Sequence, residues 1–308
     1  MSIEKPAPVI YPGGIAGGGT LMPVPNDPDR IEQALETLQG DEPGFLVRDY
    51  QDCTGGSAAD TQRYLVHGRR LDLAIGPTVS STMQDWLTCV RRVVDDVGPQ
   101  MDTLSVTLEA NLARDVTTYS QLVQGVIAAK QEARGLGNDH LQIGFDEVGF
   151  GQPDTEFWNA ISSLGGNEFR DSVDYIGVDM YPDVFVPVTS TTISGAVEAT
   201  LSAVRDQEMP IAGLPESVPI RVSENGWPTI GDHTEAGQVD TLRSIIETVN
   251  ASRSKYNVVS YELFDLRDAL TSSTNLFDHF GIMHDDYTPK PAFWTYRHLI
   301  RRLGPSDR

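Results

Sequence analysis

Short apolar runs recur along the chain. Each is followed by a polar or glycine-bearing stretch and then by a longer segment of helical periodicity. Runs at 9–11, 45–47, 71–75, 104–108, 141–145, 175–178, 220–222 and 258–264 read as strands. Helical patterns fit between and after them at 27–38, 84–97, 118–134, 155–164, 194–205, 234–249 and 292–303. In the first, Ile31, Leu35 and Leu38 recur at spacings of four and three behind acidic residues. In the third, Leu122, Val126 and Ala129 share a stripe. In the sixth, Leu242, Ile245 and Val249 do so, with Asp232 and Glu235 as capping groups. Only the connection around 59–68 makes a poor helix. Strands alternating with such helices imply βαβ units and a parallel sheet. Eight of them predict α/β architecture closed into a single (β/α)8 TIM barrel, one catalytic domain over 1–308. Length alone also allows two domains. No linker, low-complexity tract or composition shift divides the chain.

Charge narrows the partners. Acidic residues number 44 against 23 Lys and Arg, a formal charge of -21. Such a field repels phosphate backbones and anionic membrane surfaces, so neither nucleic acid nor a membrane is expected as a partner. The expected partner is a small-molecule or carbohydrate substrate, bound by a monomer or weak homo-oligomer. No apolar stretch approaches the 18 residues of a membrane span. The first residues, MSIEKPAPVI, carry no apolar signal core, so the chain as given is expected in the cytoplasm, or secreted if a leader has been removed. Cys53 and Cys89 form no CxxC pair and are read either as two thiols or as one bridge. The glycine-rich stretch 13–19 lacks the GxGxxG order and a following GK[ST], so it reads as a flexible first loop. No cofactor is expected. Metal binding is not indicated either: the six histidines are scattered, and His279 and His284, beside Asp278, Asp285 and Asp286, read as a solvated loop. No Gly-x-Ser-x-Gly elbow occurs, and Cys53 has no evident base beside it.

A barrel carries its active site at the C-terminal ends of its strands. The residues ending the runs are Arg48 and Asp49, Glu109, Asp146 and Glu147, Asp179 and Tyr181, Glu224, and Asp265. Taken singly, Asp49, Asp146, Asp179 and Asp265 read as structural or solvated more readily than as catalytic. Glu109 and Glu224 stand apart, each directly following an apolar strand, by count the fourth and the seventh. Those strands face each other across an eight-stranded barrel. Two carboxyl groups flanking one bond are what glycosidic cleavage needs, about 5–5.5 Å apart in a retaining enzyme.

At these positions the chain resembles a known group. Residues 222–229, VSENGWPT, look like the seventh-strand nucleophile motif of glycoside hydrolase clan A. Residues 280–293, FGIMHDDYTPKPAF, are similar to the segment after strand eight, and 175–182, YIGVDMYP, to the sixth strand. The whole chain most resembles actinobacterial glycosidase-like proteins of that clan. The resemblance implies a retaining hydrolase of carbohydrate metabolism, with Glu224 as nucleophile, Glu109 as acid/base, Tyr181 orienting Glu224, and Arg48 as the second-strand arginine. Asp49, Asn111, Asp146, Asp179, Trp227, Phe264 and Asp265 join these as candidate substrate-binding residues, Trp227 being either a sugar platform or a packing residue. Two positions depart from the clan. The asparagine expected before the acid/base is Leu108, and the strand-eight aromatic is Leu263, with Phe264 beside it as a partial replacement. Strict alternation would send Leu108 and Glu109 to opposite sides, so a bulge decides whether Leu108 lines the pocket.

Three readings follow. The first is a retaining glycoside hydrolase. The second is an enzyme on the same scaffold, retuned for acid/base cyclisation, elimination or isomerisation of a more apolar metabolite. The third is a non-catalytic carbohydrate-binding barrel. The two leucines predict weak activity on ordinary hexosides, and a substrate that is apolar where Leu108 or Leu263 meets it.

Overall fold

A computed structural model describes residues 7–10, 24–53, 62–78, 81–188 and 191–303. Eight strands succeed one another in it: β1 Ala7–Ile10, β2 Phe45–Asp52, β3 Arg69–Gly76, β4 Met101–Val106, β5 Gln142–Val148, β6 Tyr175–Asp179, β7 Ile220–Glu224 and β8 Val258–Leu263. Strands β2 to β8 form one curled, wholly parallel sheet. The short β1 pairs with both of its edge strands, Val9 standing opposite Leu46 of β2 and Glu262 of β8. Helices α1 Pro28–Gln39, α2 Met83–Val97, α3 Val116–Leu136, α4 Thr155–Arg170, α5 Ile193–Ser202, α6 Glu235–Tyr256 and α7 Pro291–Leu303 occupy the connections. The glycine-rich stretch 13–19 and the start of the 59–68 connection lie outside the described residues; from 63 to 68 that connection is turns.

The helices start where local chemistry satisfies their free amides. Asp27 accepts from the amides of Asp29 and Arg30, ahead of Pro28 at the first turn of α1. Thr82 and Asp85 form a reciprocal capping box on α2. In α6 the cap is Thr234, which accepts from the Gly237 amide, and not Asp232 or Glu235 as the sequence suggested. The expected apolar stripes are buried: Ile31, Leu35 and Leu38 on α1, Leu122, Val126 and Ala129 on α3, Leu242, Ile245 and Val249 on α6. Cys53, just after β2, and Cys89 of α2 are joined by a disulfide, which settles the pairing left open by the sequence. No described helix is long and apolar enough to cross a membrane.

Under the strand ends, the space enclosed by the sheet is filled by charge rather than hydrocarbon. Arg48 is 2% exposed and is the fourth residue of β2, not its last. Its guanidinium reaches Asp72 of β3 at 2.8 Å, Asp146 of β5 at 2.6 Å and Glu262 of β8 at 3.4 Å. Asp72 also accepts from the Thr103 hydroxyl at 2.6 Å. Arg48 works against burial to hold the Asp72 carboxyl below its ordinary range. Burial pushes Glu262 well up, helped by Asp72 beside it. Such a network is tolerable in a dry interior because nearly every charge has a partner. It also demands a glycine on β6: a Cβ at Gly177 would lie 1.8 Å from the Asp146 carboxylate and 2.3 Å from the Ser223 hydroxyl.

Candidate active site

Glu224 closes β7 with both carboxylate oxygens engaged. The Tyr50 hydroxyl donates to one at 2.6 Å and the Tyr181 hydroxyl to the other at 2.8 Å. Arg48 stands 3.8 Å away. Tyr50 is anchored in turn, its oxygen accepting from the Arg48 Nε at 3.0 Å. Glu109 arrives differently. Strand β4 ends at Val106, two residues earlier than the apolar run suggests. Thr107 (φ 65°) and Glu109 (φ 49°) then both adopt left-handed backbone, uncommon for residues with side chains. That double turn breaks the strand alternation, and Leu108 and Glu109 both face the same cavity. Glu109, Asp179 and Glu224 each bring a carboxylate oxygen within 4.8 Å of the other two.

The carboxyls are in unequal surroundings. Burial, then the charges of Glu224 and Asp146, raise Glu109 to about 8. No hydrogen bond among the described residues holds its carboxylate. Burial also raises Glu224, but Arg48, Tyr50 and Tyr181 all favour its charged form. Asp179, at the end of β6, is fully buried with neither carboxylate oxygen hydrogen-bonded, and burial plus the nearby carboxylates push it well up. Negative charge is therefore best held on Glu224, while protons are best held on Glu109 and Asp179.

The cavity over these groups measures about 1040 Å³. Its wall is largely apolar: Leu108, Leu112, Val148, Phe150, Met180, Phe185, Phe264, Phe277 and Phe280, with Gln152, Thr191 and Thr200 among its few polar groups. Aromatic contacts run without a break from Tyr181 to Phe185, Phe277, Phe280 and Phe264, each step between 5.6 and 6.2 Å.

Of the residues singled out in the sequence, Glu109, Glu224, Tyr181 and Phe264 line the cavity. Arg48 and Asp146 lie beneath Glu224 as its buried electrostatic support. Asp179 stands beside the two glutamates without lining the cavity, and the remaining candidates sit elsewhere. Asp49 follows Arg48 and does not line the cavity, since alternation turns it away. The Asn111 amide exchanges two 3.0 Å hydrogen bonds with the backbone of Val148, fastening the loop after β4 to the end of β5. Trp227 is buried and stacked on His233 at 4.0 Å, a packing residue. Asp265 is buried outside the cavity lining. Leu263, taken as the strand-eight platform position, is 1% exposed in the core, and Phe264 faces the cavity in its place. Asp278 and His279 are buried, not solvated: His279 Nε2 lies 2.8 Å from the Ser273 carbonyl. Tyr50 was missed. Its signal was its place two residues after Arg48 on one strand, and so on the same face.

Among the described residues, two groups bring three metal-ligating side chains together: Glu32, Glu36 and His67 on the surface, and the site carboxyls themselves.

No protein-family model and no curated protein sequence matches the chain. Solved structures do. A family 39 glycoside hydrolase from Bacteroides cellulosilyticus WH2 superposes with a TM-score of 0.68 at 14% identity, covering 99% of this chain. The chain spans 65% of the length of that neighbour. A β-glucosidase from Thermotoga maritima in complex with castanospermine gives 0.66 at 13% identity, covering 100% of this chain and 99% of its own. A β-glucosidase designated 1317 gives 0.63 at 16% identity, covering 99% of each chain. The chain shares its fold with these glycoside hydrolases. At such identities the likeness extends to the fold alone.

Proposed function

We propose that the whole chain is one (β/α)8 barrel domain acting as a retaining glycoside hydrolase, with Glu224 as nucleophile and Glu109 as acid/base. The observation that carries this reading is the pair itself. Two glutamates from different strands bring their nearest oxygens within 4.8 Å, one beside Arg48 and two tyrosine hydroxyls that favour its charged form, the other raised to about 8. Retaining enzymes hold their carboxyls about 5–5.5 Å apart and inverting ones about 6.5–9.5 Å, and the nearest oxygens of this pair, within 4.8 Å, favour the first. In the first step Glu224 attacks the anomeric carbon while Glu109 gives its proton to the departing oxygen. In the second, Glu109, now a carboxylate, takes a proton from water as that water displaces Glu224, and both residues return to their starting states. Tyr50, Tyr181 and Arg48 keep Glu224 ionised and oriented. Asp179, buried beside the two glutamates and pushed up by burial and by their charges, favours its neutral form there. The nearer likeness to actinobacterial proteins rests on the sequence motifs.

The apolar cavity supports a second reading, in which the same two glutamates move a proton on a non-sugar metabolite. Azide separates them. With Glu109→Ala and an activated aryl glycoside, azide should restore turnover as a glycosyl azide of unchanged configuration. A variant that azide does not rescue, from a parent that releases no sugar, favours the second reading.

A further inference from the structure

We propose that the leaving group of the natural substrate is a large apolar alcohol, seated on a wall of Leu108, Leu112, Phe150, Phe185 and Val186. This deepens the hydrolase reading and rests on it for the assignment of Glu109. An acid that protonates the departing oxygen must stand beside the leaving group. In the order of strands β5 is the neighbour of β4, and β6 stands between β5 and β7, so the loops after β4 and β5 adjoin Glu109 and the loop after β6 lines the same cavity from the side of Glu224. Leu108 flanks Glu109 in sequence and Leu112 lies one turn on; Phe150 follows β5, and Phe185 and Val186 follow β6. All five line the cavity, and all are exposed, from 41% at Leu108 to 72% at Val186.

Such residues carry their cost in water continuously. On a chain of charge -21, an exposed apolar cluster at one cleft marks a binding surface rather than chance. The polar inventory agrees. Of the cavity hydroxyls, Tyr50 and Tyr181 are committed to Glu224 and Thr200 donates to the Ala196 carbonyl, which leaves Thr191, with the Gln152 amide, among the side chains lining the wall. Few groups remain to pair with a second sugar, so an oligosaccharide would leave buried hydroxyls unsatisfied on this side. The cavity, about 1040 Å³, is at the top of the range for small-molecule sites and has room beyond one sugar ring. An apolar alcohol fills that room without needing hydrogen bonds. On cleavage it leaves with the Glu109 proton, and water supplies the hydroxyl that the sugar gains.

The test is a series of methyl, hexyl and octyl β-D-glucosides below their micelle concentrations, in the whole protein and in Phe150→Ser and Phe185→Ser. Turnover is read as glucose release and binding by calorimetry, beside a panel of aryl glucosides, galactosides and xylosides. Where the chain is buried, kcat/KM or affinity should rise by up to roughly fourfold per methylene. The slope should flatten in both variants, whose exposed positions make folding defects a poor alternative explanation. Binding that climbs with chain length while no glycoside is cleaved would sink the hydrolase reading and leave the apolar-ligand assignment standing. Cleavage indifferent to alkyl length, or binding and cleavage both indifferent, overturns the assignment.

Discussion

Replacing Glu224 by Gln should lower the pKa of Glu109, and the structure sets the size of the effect. Glu109 is raised to about 8 first by burial, then by the charge of Glu224, then by Asp146, with Arg48 opposing. The nearest carboxylate oxygens of the pair lie within 4.8 Å. At an effective dielectric constant of about 20, two unit charges at that distance repel by about 3.5 kcal/mol. The charge is spread over both oxygens, so the nearest pair overstates the repulsion, and a fall of about two pKa units is expected. Glu109 in Glu224→Gln should therefore titrate near 6, roughly, and not at its unperturbed value, because burial and Asp146 persist. Carbon NMR of protein labelled at the glutamate carboxyls measures this, the resonance being assigned by its loss in Glu109→Gln. The same proton should appear in the parent's pH profile. An acid must be protonated to act, so kcat/KM for substrates with poor leaving groups should fall as pH rises through about 8. A parent Glu109 titrating near 4.5, or one unmoved by the substitution, would show that the two carboxyls do not share a dry site.

Other consequences are as direct. Arg48→Met should destabilise the fold by about 3–5 kcal/mol in urea unfolding, because Asp72 and Asp146 are left buried without their cation; an unchanged midpoint would refute the interior network. Leu108→Asn adds a hydrogen-bonding group to the cavity wall and should raise kcat/KM for simple hexosides by up to about tenfold, whereas strong hexosidase activity in the parent, or a loss in the variant, contradicts the placing of Leu108. Opening the Cys53–Cys89 bridge, which spans 36 residues, should cost about 3–4 kcal/mol, read as a lower melting temperature in the Cys53→Ser, Cys89→Ser double variant than in the oxidised parent.

The alternation of apolar runs with helical stripes made the parallel sheet and its order legible, because each strand buries both faces and each helix only one. Glu109 and Glu224 were legible for the same reason: they are carboxylates placed where an apolar run stops. Legibility ended where the backbone left regular geometry. The left-handed Thr107 cannot be read from residue type, so the side faced by Leu108 stayed undecided. The pleat of β8 carries no further than Leu263, and the cavity-facing aromatic is the next residue, Phe264. Asp72 and Glu262 passed unremarked inside their strands, although a charge within an apolar run is itself a sign of a buried ionic partner. Asn111 and Trp227 look like binding residues by type but are spent on backbone and ring contacts, which only the folded chain reveals.

Glu109 and Glu224, if they act as proposed, cleave by double displacement. The most direct measurement is proton NMR of the first product formed from an aryl β-glycoside, read before the free sugar mutarotates. Double displacement requires the β-anomer to appear first and decay to the equilibrium mixture. The α-anomer as first product would mean that water attacks the anomeric carbon directly, and the assignment of Glu224 as nucleophile would be wrong.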